Sequence, residues 1–206
     1  MNSMFFATTI MPLKKCANAR GKSFRLRCKT RTSFATSALR VAGVCLPLVF
    51  AQPVHAVGVG EFAPNFQLPA SRDAKSGAMT VRLVDLRGKV VYLDFWASWC
   101  GPCKQSFPWM NSLQTRFQDK GLQILAVNVD VHSEDARAFL TALPPQFRVA
   151  FDTQGVTPRQ YAIRGMPTSL VIGGDGKVVL LHNGFRPDDE AEVEAVIERA
   201  LAALSN

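Results

Sequence analysis

Two thiols sit one helical turn apart in Trp99-Cys100-Gly101-Pro102-Cys103, directly after the apolar run Val90-Val91-Tyr92-Leu93-Asp94-Phe95-Trp96. The run reads as a strand feeding the N-terminus of a helix. Unpaired backbone N–H groups and the positive end of the helix dipole meet there, and both stabilise a thiolate, the species that attacks disulfides. Cys100, at the helix start and the more exposed, is the expected nucleophile. Cys103, one turn in and more buried, is expected to resolve the mixed disulfide formed on it. Half of a zinc site is the competing explanation, but a closed site needs about four ligands. Downstream of Cys103 there is no further cysteine, and His132 and His182 lie far apart in sequence. The expectation is redox chemistry with no metal, and no cofactor beyond the Cys100–Cys103 disulfide itself.

Positioning these thiols requires a particular order of elements. The continuous run Val90 to Trp96 has the pattern of a central strand covered on both faces. A helix is expected from about Pro102 to Asp119, with Phe107, Met110, Leu113 and Phe117 at helical spacing, Pro108 as a kink and Gly121 as the stop. Leu122 to Val129 reads as a second buried strand, Ser133 onward as a short helix, Val149 to Phe151 as a strand and Thr157 to Ile163 as a helix. Thr168 to Ile172 and Val178 to Leu181 form a hairpin around Gly173-Gly174-Asp175-Gly176, and Asp188 to Leu204 closes the chain as an amphipathic helix. Ala63 to Leu68 and Val81 to Val84 add a small hairpin before all of this. The order predicts an α/β fold, a mixed central sheet with helices on both faces and an added N-terminal β-hairpin.

Charge divides the 206 residues in two. The formal charge of +8 is +9 from residues 1–56, which hold nine Lys/Arg and no acid, and −1 from the rest. The body therefore lacks the basic surface that nucleic acid would require. Within the leader, Val41 to Ala51 is apolar but too short to span a bilayer, and Val54-His55-Ala56 offers small residues where a signal peptidase cuts. Residues 1–56 read as a signal segment and 57–206 as one domain, exported to a periplasm. A retained membrane anchor and an organellar transit peptide are the alternatives. Cleavage after Ala56 removes Cys16, Cys28 and Cys45 and leaves Cys100 and Cys103 as the mature pair. In an oxidising compartment, such a pair in a body with its own core is a working couple rather than a staple.

Asp94-Phe95-Trp96-Ala97-Ser98-Trp99-Cys100-Gly101-Pro102-Cys103-Lys104, Pro108, and Gly165-Met166-Pro167-Thr168 ahead of the hairpin together resemble the thioredoxin superfamily, over essentially all of residues 60–204. The Ala63-Pro64-Asn65-Phe66-Gln67-Leu68 lead-in, the extra segment after Asn128-Val129-Asp130 and the leader resemble its exported TlpA-like branch. The resemblance implies a thioredoxin-like fold and further site residues. Asp94 occupies the buried-acid position and would take and return the proton of Cys103; its place in an apolar run is costly unless it has a task. Pro167 matches the cis-proline lying against the disulfide, Met166 offers backbone groups to an extended substrate, and Trp99 with Gly101 and Pro102 shapes the docking surface. Trp96 reads as core.

Three positions depart from these patterns. The branch often carries glutamate where Ser106 stands and asparagine where Asp94 stands, and the lysine that thioredoxins place near the buried acid falls on Ala126. The site thus resembles a general thioredoxin more than a dedicated haem-pathway reductase. The leading expectation is a monomeric thiol–disulfide oxidoreductase that reduces periplasmic protein disulfides and is recharged by a membrane thiol-electron donor. A peroxiredoxin-like peroxidase is an alternative, although Ala97-Ser98-Trp99-Cys100 lacks the Thr-x-x-Cys such enzymes share. A copper carrier for respiratory oxidase assembly is another, since two soft thiolates suit Cu(I).

Overall fold

The computed structural model describes residues 56–71 and 79–205. The leader reading of residues 1–56 lies, except for Ala56, outside the described residues. The strands are β1 (Gln67–Ser71), β2 (Met79–Arg82), β3 (Val90–Trp96), β4 (Leu122–Asn128), β5 (Arg148–Phe151), β6 (Thr168–Ile172) and β7 (Val178–Asn183). The helices are α1 (Gly101–Phe117), α2 (Ser133–Ala142), α3 (Val156–Gln160) and α4 (Glu190–Ala202).

The strands form one mixed sheet in the order β2-β1-β5-β4-β3-β6-β7. β3 pairs parallel with β4, and β4 with β5. β6 and β7 continue antiparallel on one side, and the β1–β2 hairpin extends the other edge through β5. The hairpin sits later in the sequence than the apolar pattern suggests, because Ala63 to Phe66 is irregular and Leu83–Leu86 is a short 3₁₀ turn. The irregular lead-in is tied down instead: the Tyr161 hydroxyl donates to the Pro64 carbonyl at 2.6 Å.

The period-2 alternation of strand side chains separates two hydrophobic cores. On one face Val90, Tyr92, Trp96, Ile124, Ala126 and Val171 pack against Phe107, Met110 and Leu113 of α1, Phe139 of α2 and Ile197 of α4. On the other, Val91, Leu93, Phe95, Leu125, Val127, Leu170 and Ile172 pack against Leu83, Leu86, Tyr161 and the Val57–Ala63 segment. β3 is buried along its whole length, with β4 and β6 on either side. Helix α1 runs through Pro108 as one element and passes into a 3₁₀ turn ending at Gly121. Gly121 adopts φ +107°, where a side chain would be strained and a Cβ would meet Leu204 at 3.1 Å.

Candidate active site

The carboxyl ends of β3, β4 and β5 lie in register at Trp96, Asn128 and Phe151, and the loop from β3 into α1 rises from that edge. It carries Cys100 to the N-cap of α1, where Sγ accepts a hydrogen bond from the Cys103 N–H at 3.2 Å. Pro102 lies in the first turn, where its missing N–H costs nothing. The two cysteines form a disulfide with 1.99 Å between sulfurs and 5.3 Å between Cα atoms. In this oxidised state both are buried, Cys100 at 3% exposure and Cys103 at 0%. The difference runs in the direction the sequence suggests but is small, because Trp96, Phe107 and Trp109 share a cluster with both. Once reduced, Cys100 meets the Cys103 N–H and the helix dipole together, and both favour its thiolate.

Around the disulfide the surface is open and apolar. Trp99 is 72% exposed and Val131 73%. Gly101 and Pro102 are exposed, and a Cβ at Gly101 would meet nothing within 4 Å. The Met166–Pro167 peptide bond is cis, and the Pro167 carbonyl is held by the Gly184 N–H at 2.8 Å. Met166 and Pro167, with Ile163, Arg164, Leu181 and Asn183, line a cavity of about 490 Å³.

Asp94 lies mid-strand with 1% exposure, on the same side of β3 as Tyr92 and Trp96, and so on the face that carries the disulfide. Its register partners are Ala126 on β4 and Ser169 on β6, so neither neighbour brings a cation. Burial alone pushes its carboxyl well above the usual range, and its Oδ2 has no hydrogen-bond partner. The indole nitrogens of Trp96 and Trp109 on this face are also buried without partners. Ser106, where a glutamate would stand in the TlpA-like branch, is buried and donates to the Cys103 carbonyl at 3.1 Å.

A polar clamp beneath the cysteine loop escaped the sequence reading. Asp130 is 4% exposed; its carboxylate accepts from the Ser98 N–H at 3.0 and 3.2 Å, from the Ser98 hydroxyl at 3.2 Å and from the Asn128 amide at 2.8 Å. Asn128 Oδ1 in turn accepts from the Asp130 N–H at 3.1 Å. The loop carrying Trp99 and Cys100 is thereby fixed to the end of β4. The signal was present, two polar residues at the end of an apolar strand, but no spacing rule marks them as a clamp. Among the described residues no group of three or more His, Cys, Asp or Glu side chains is arranged to hold a metal ion.

A protein built this way is thioredoxin-like: a mixed sheet holds one dithiol at a helix N-terminus, with a cis-proline directly before β6. The Redoxin family model matches residues 58–197. The thiol-disulfide oxidoreductase ResA of Geobacillus thermodenitrificans is 33% identical over 154 residues, covering 75% of this chain and 86% of that protein. The ResA of Bacillus subtilis is 34% identical over 130 residues, covering 63% and 70%. A Chlorobium tepidum crystal structure, assigned as a thiol:disulfide interchange protein DsbE, superposes with a TM-score of 0.66 at 52% identity, covering 71% of this chain and 99% of that one. The chain belongs to the Redoxin family of thioredoxin-like proteins and is a thiol–disulfide oxidoreductase.

Proposed function

We propose that the protein is an exported reductant of protein disulfides. The observation that carries this reading is the Cys100–Cys103 disulfide at the N-terminus of α1, on the same face of the sheet as a buried carboxyl. In the reduced enzyme the Cys100 thiolate attacks one sulfur of a substrate disulfide, forming a Cys100–substrate bond and expelling a substrate thiolate. Asp94, as carboxylate, takes the Cys103 proton. The Cys103 thiolate then attacks Cys100 Sγ, the second substrate thiolate leaves, and the enzyme disulfide is regenerated. A membrane thiol-electron donor returns two electrons, and Asp94 returns the proton to Cys103.

Several features support the details. The Met166 backbone makes no hydrogen bond among the described residues, which suits pairing with an extended substrate strand alongside Pro167. Trp99, Gly101 and Pro102 form the solvent-facing rim that a folded partner would meet. Gly-Pro between the cysteines is the thioredoxin dipeptide, and it favours the reducing direction. The leader's composition supports cleavage after Ala56, a mature domain of residues 57–206 and a periplasmic location. Among the described residues no helix is long and apolar enough to cross a membrane.

The first experiment equilibrates the protein with graded dithiol buffers and follows the Cys100/Cys103 couple by thiol tagging. A potential near about −270 mV, the value of thioredoxin, supports a reductant; one near about −120 mV reverses the direction of electron flow. N-terminal sequencing of the secreted form should begin at Val57, and a start elsewhere removes the leader assignment.

A further inference from the structure

Each catalytic cycle moves a proton on and off Asp94, yet that carboxyl lies in the interior, on the same face of β3 as Trp96 and Tyr92. The sheet itself supplies a polar row leading outward. Asp94 on β3 is directly opposite Ser169 on β6, and Ser169 is directly opposite His182 on β7. Directly paired residues share a face, with Cβ atoms about 4.5–5.5 Å apart, so the three side chains stand side by side on the disulfide face. The adjacent row, Tyr92–Val171–Leu180, is apolar except for the Tyr92 hydroxyl.

The row ends at the surface on an ion-pair partner. His182 Nε2 lies 3.2 Å from Asp189 Oδ2, with side-chain exposures of 20% and 19%. Asp189 is held in turn by Arg186 Nε at 3.0 Å. Besides these two, Asp188 and Glu190 are the charged groups on the turn and helix start next to His182; β6 and β7 present no charge there. The progression runs from an interior carboxyl, through a buried hydroxyl, to a half-buried imidazole 3.2 Å from a carboxylate.

We propose that Ser169 and His182 relay the proton between Asp94 and solvent. This rests on Asp94 serving as the base for Cys103. Before Cys103 can give up its proton, the Asp94 carboxylic acid of the reduced protein donates its own through intervening water to the Ser169 hydroxyl, leaving the carboxylate that takes the Cys103 proton. That hydroxyl passes its own proton to the neutral His182 imidazole, and the imidazolium beside Asp189 releases it to buffer. Recharging runs the same steps in reverse. Each group ends as it began, and no oxidant or reductant beyond the thiol couple takes part. The raised affinity of Asp94 for a proton makes an exit route useful, because the resting acid must ionise before it can take the Cys103 proton.

The test uses the full chain, reduced and mixed with excess glutathione disulfide, then acid-quenched to separate the glutathione–Cys100 species from the ring-closed disulfide. His182→Gln keeps a hydrogen-bonding side chain but cannot carry a proton, and it should slow ring closure by on the order of tenfold in dilute buffer. Concentrated imidazole buffer should restore the rate, and the reduction potential should not move. Ser169→Ala should slow the same step without adding to the His182→Gln effect. A His182→Gln protein that closes at the wild-type rate, that imidazole does not rescue, or whose potential shifts overturns the relay. If Asp94→Asn is slow while His182→Gln is not, the relay alone fails. If Asp94→Asn itself closes at the wild-type rate, the role of Asp94 fails with it.

Discussion

The two faces of β3 were built from one run of seven residues and do opposite things. Val91, Leu93 and Phe95 point into a core where the neighbouring strands present Leu125, Val127, Leu170 and Ile172. Tyr92, Asp94 and Trp96 point the other way, toward α1 and the disulfide. That second face holds the unpartnered Asp94 Oδ2 and the unpartnered nitrogens of Trp96 and Trp109. Buried polar atoms without partners cost about 1–3 kcal/mol each. Both faces bury apolar side chains, but the second also gives up some stability to hold a buried carboxyl on the side that carries the two thiols.

The largest contrast should come from one substitution on each side. Cys103→Ser leaves the core volume nearly unchanged but removes the resolving thiol. Turnover should fall by at least about 10³-fold, with the melting temperature close to that of the reduced wild type, and the protein should accumulate substrates disulfide-bonded to Cys100. Leu93→Ala, on the apolar face at 0% exposure, should cost about 2–5 kcal/mol in denaturant unfolding. Its exchange rate per folded molecule should stay near wild type. A Leu93→Ala protein that stays folded but loses its exchange rate would show that the two faces are not separable.

Asp94→Asn should act on both properties at once, in opposite directions. The native carboxyl binds its proton more tightly than the unfolded one, so ionisation penalises the native state. The penalty is absent below the unfolded value near pH 4, grows as pH rises above it, and is complete above the raised native value. The variant should therefore gain on the order of 1–3 kcal/mol of stability at pH 8 and almost nothing at pH 3, while ring closure slows. A gain that does not depend on pH would mean that the amide improves packing and that Asp94 carries no ionisation cost.

How much of this was legible beforehand follows the same division. The span Val90–Trp96 is readable because continuous apolar character fixes a central strand, and the residue that breaks the pattern, Asp94, announces itself by chemistry. The cysteine pair is readable from its spacing. The hairpin before them is less so: Ala63 to Leu68 has strand-like composition, but Tyr161 and the cores draw that segment into an irregular path, and pairing begins only at Gln67. Asp130 as a clamp, and His182 as a member of the row from Asp94, were invisible for a different reason. Their roles depend on which residue stands opposite or above them, and only the register of β3, β6 and β7 and the end of β4 supply that. Ser169 reads as an ordinary strand serine until Asp94 is known to be its neighbour.

Tyr92→Phe should give the smallest effect and the cleanest check on the meaning of the Asp94 result. Tyr92 stands two residues before Asp94 on the same face and packs edge-on to Trp109 at 5.7 Å between ring centroids. Burial, and after it the nearby Asp94 charge, push the phenol far above its ordinary titration range, so it stays neutral wherever the protein is folded. Removing the oxygen deletes a neutral polar group and keeps the ring packing, a loss of at most about 1.5 kcal/mol. With no proton bound or released at this site, the loss should be the same at pH 5 and pH 8. Parallel denaturation curves of Tyr92→Phe and Asp94→Asn at the two pH values then separate polarity from ionisation on one strand face. A Tyr92→Phe penalty that changes with pH would show that the hydroxyl is coupled to the charge state of Asp94, and the two residues would have to be treated as one titrating unit.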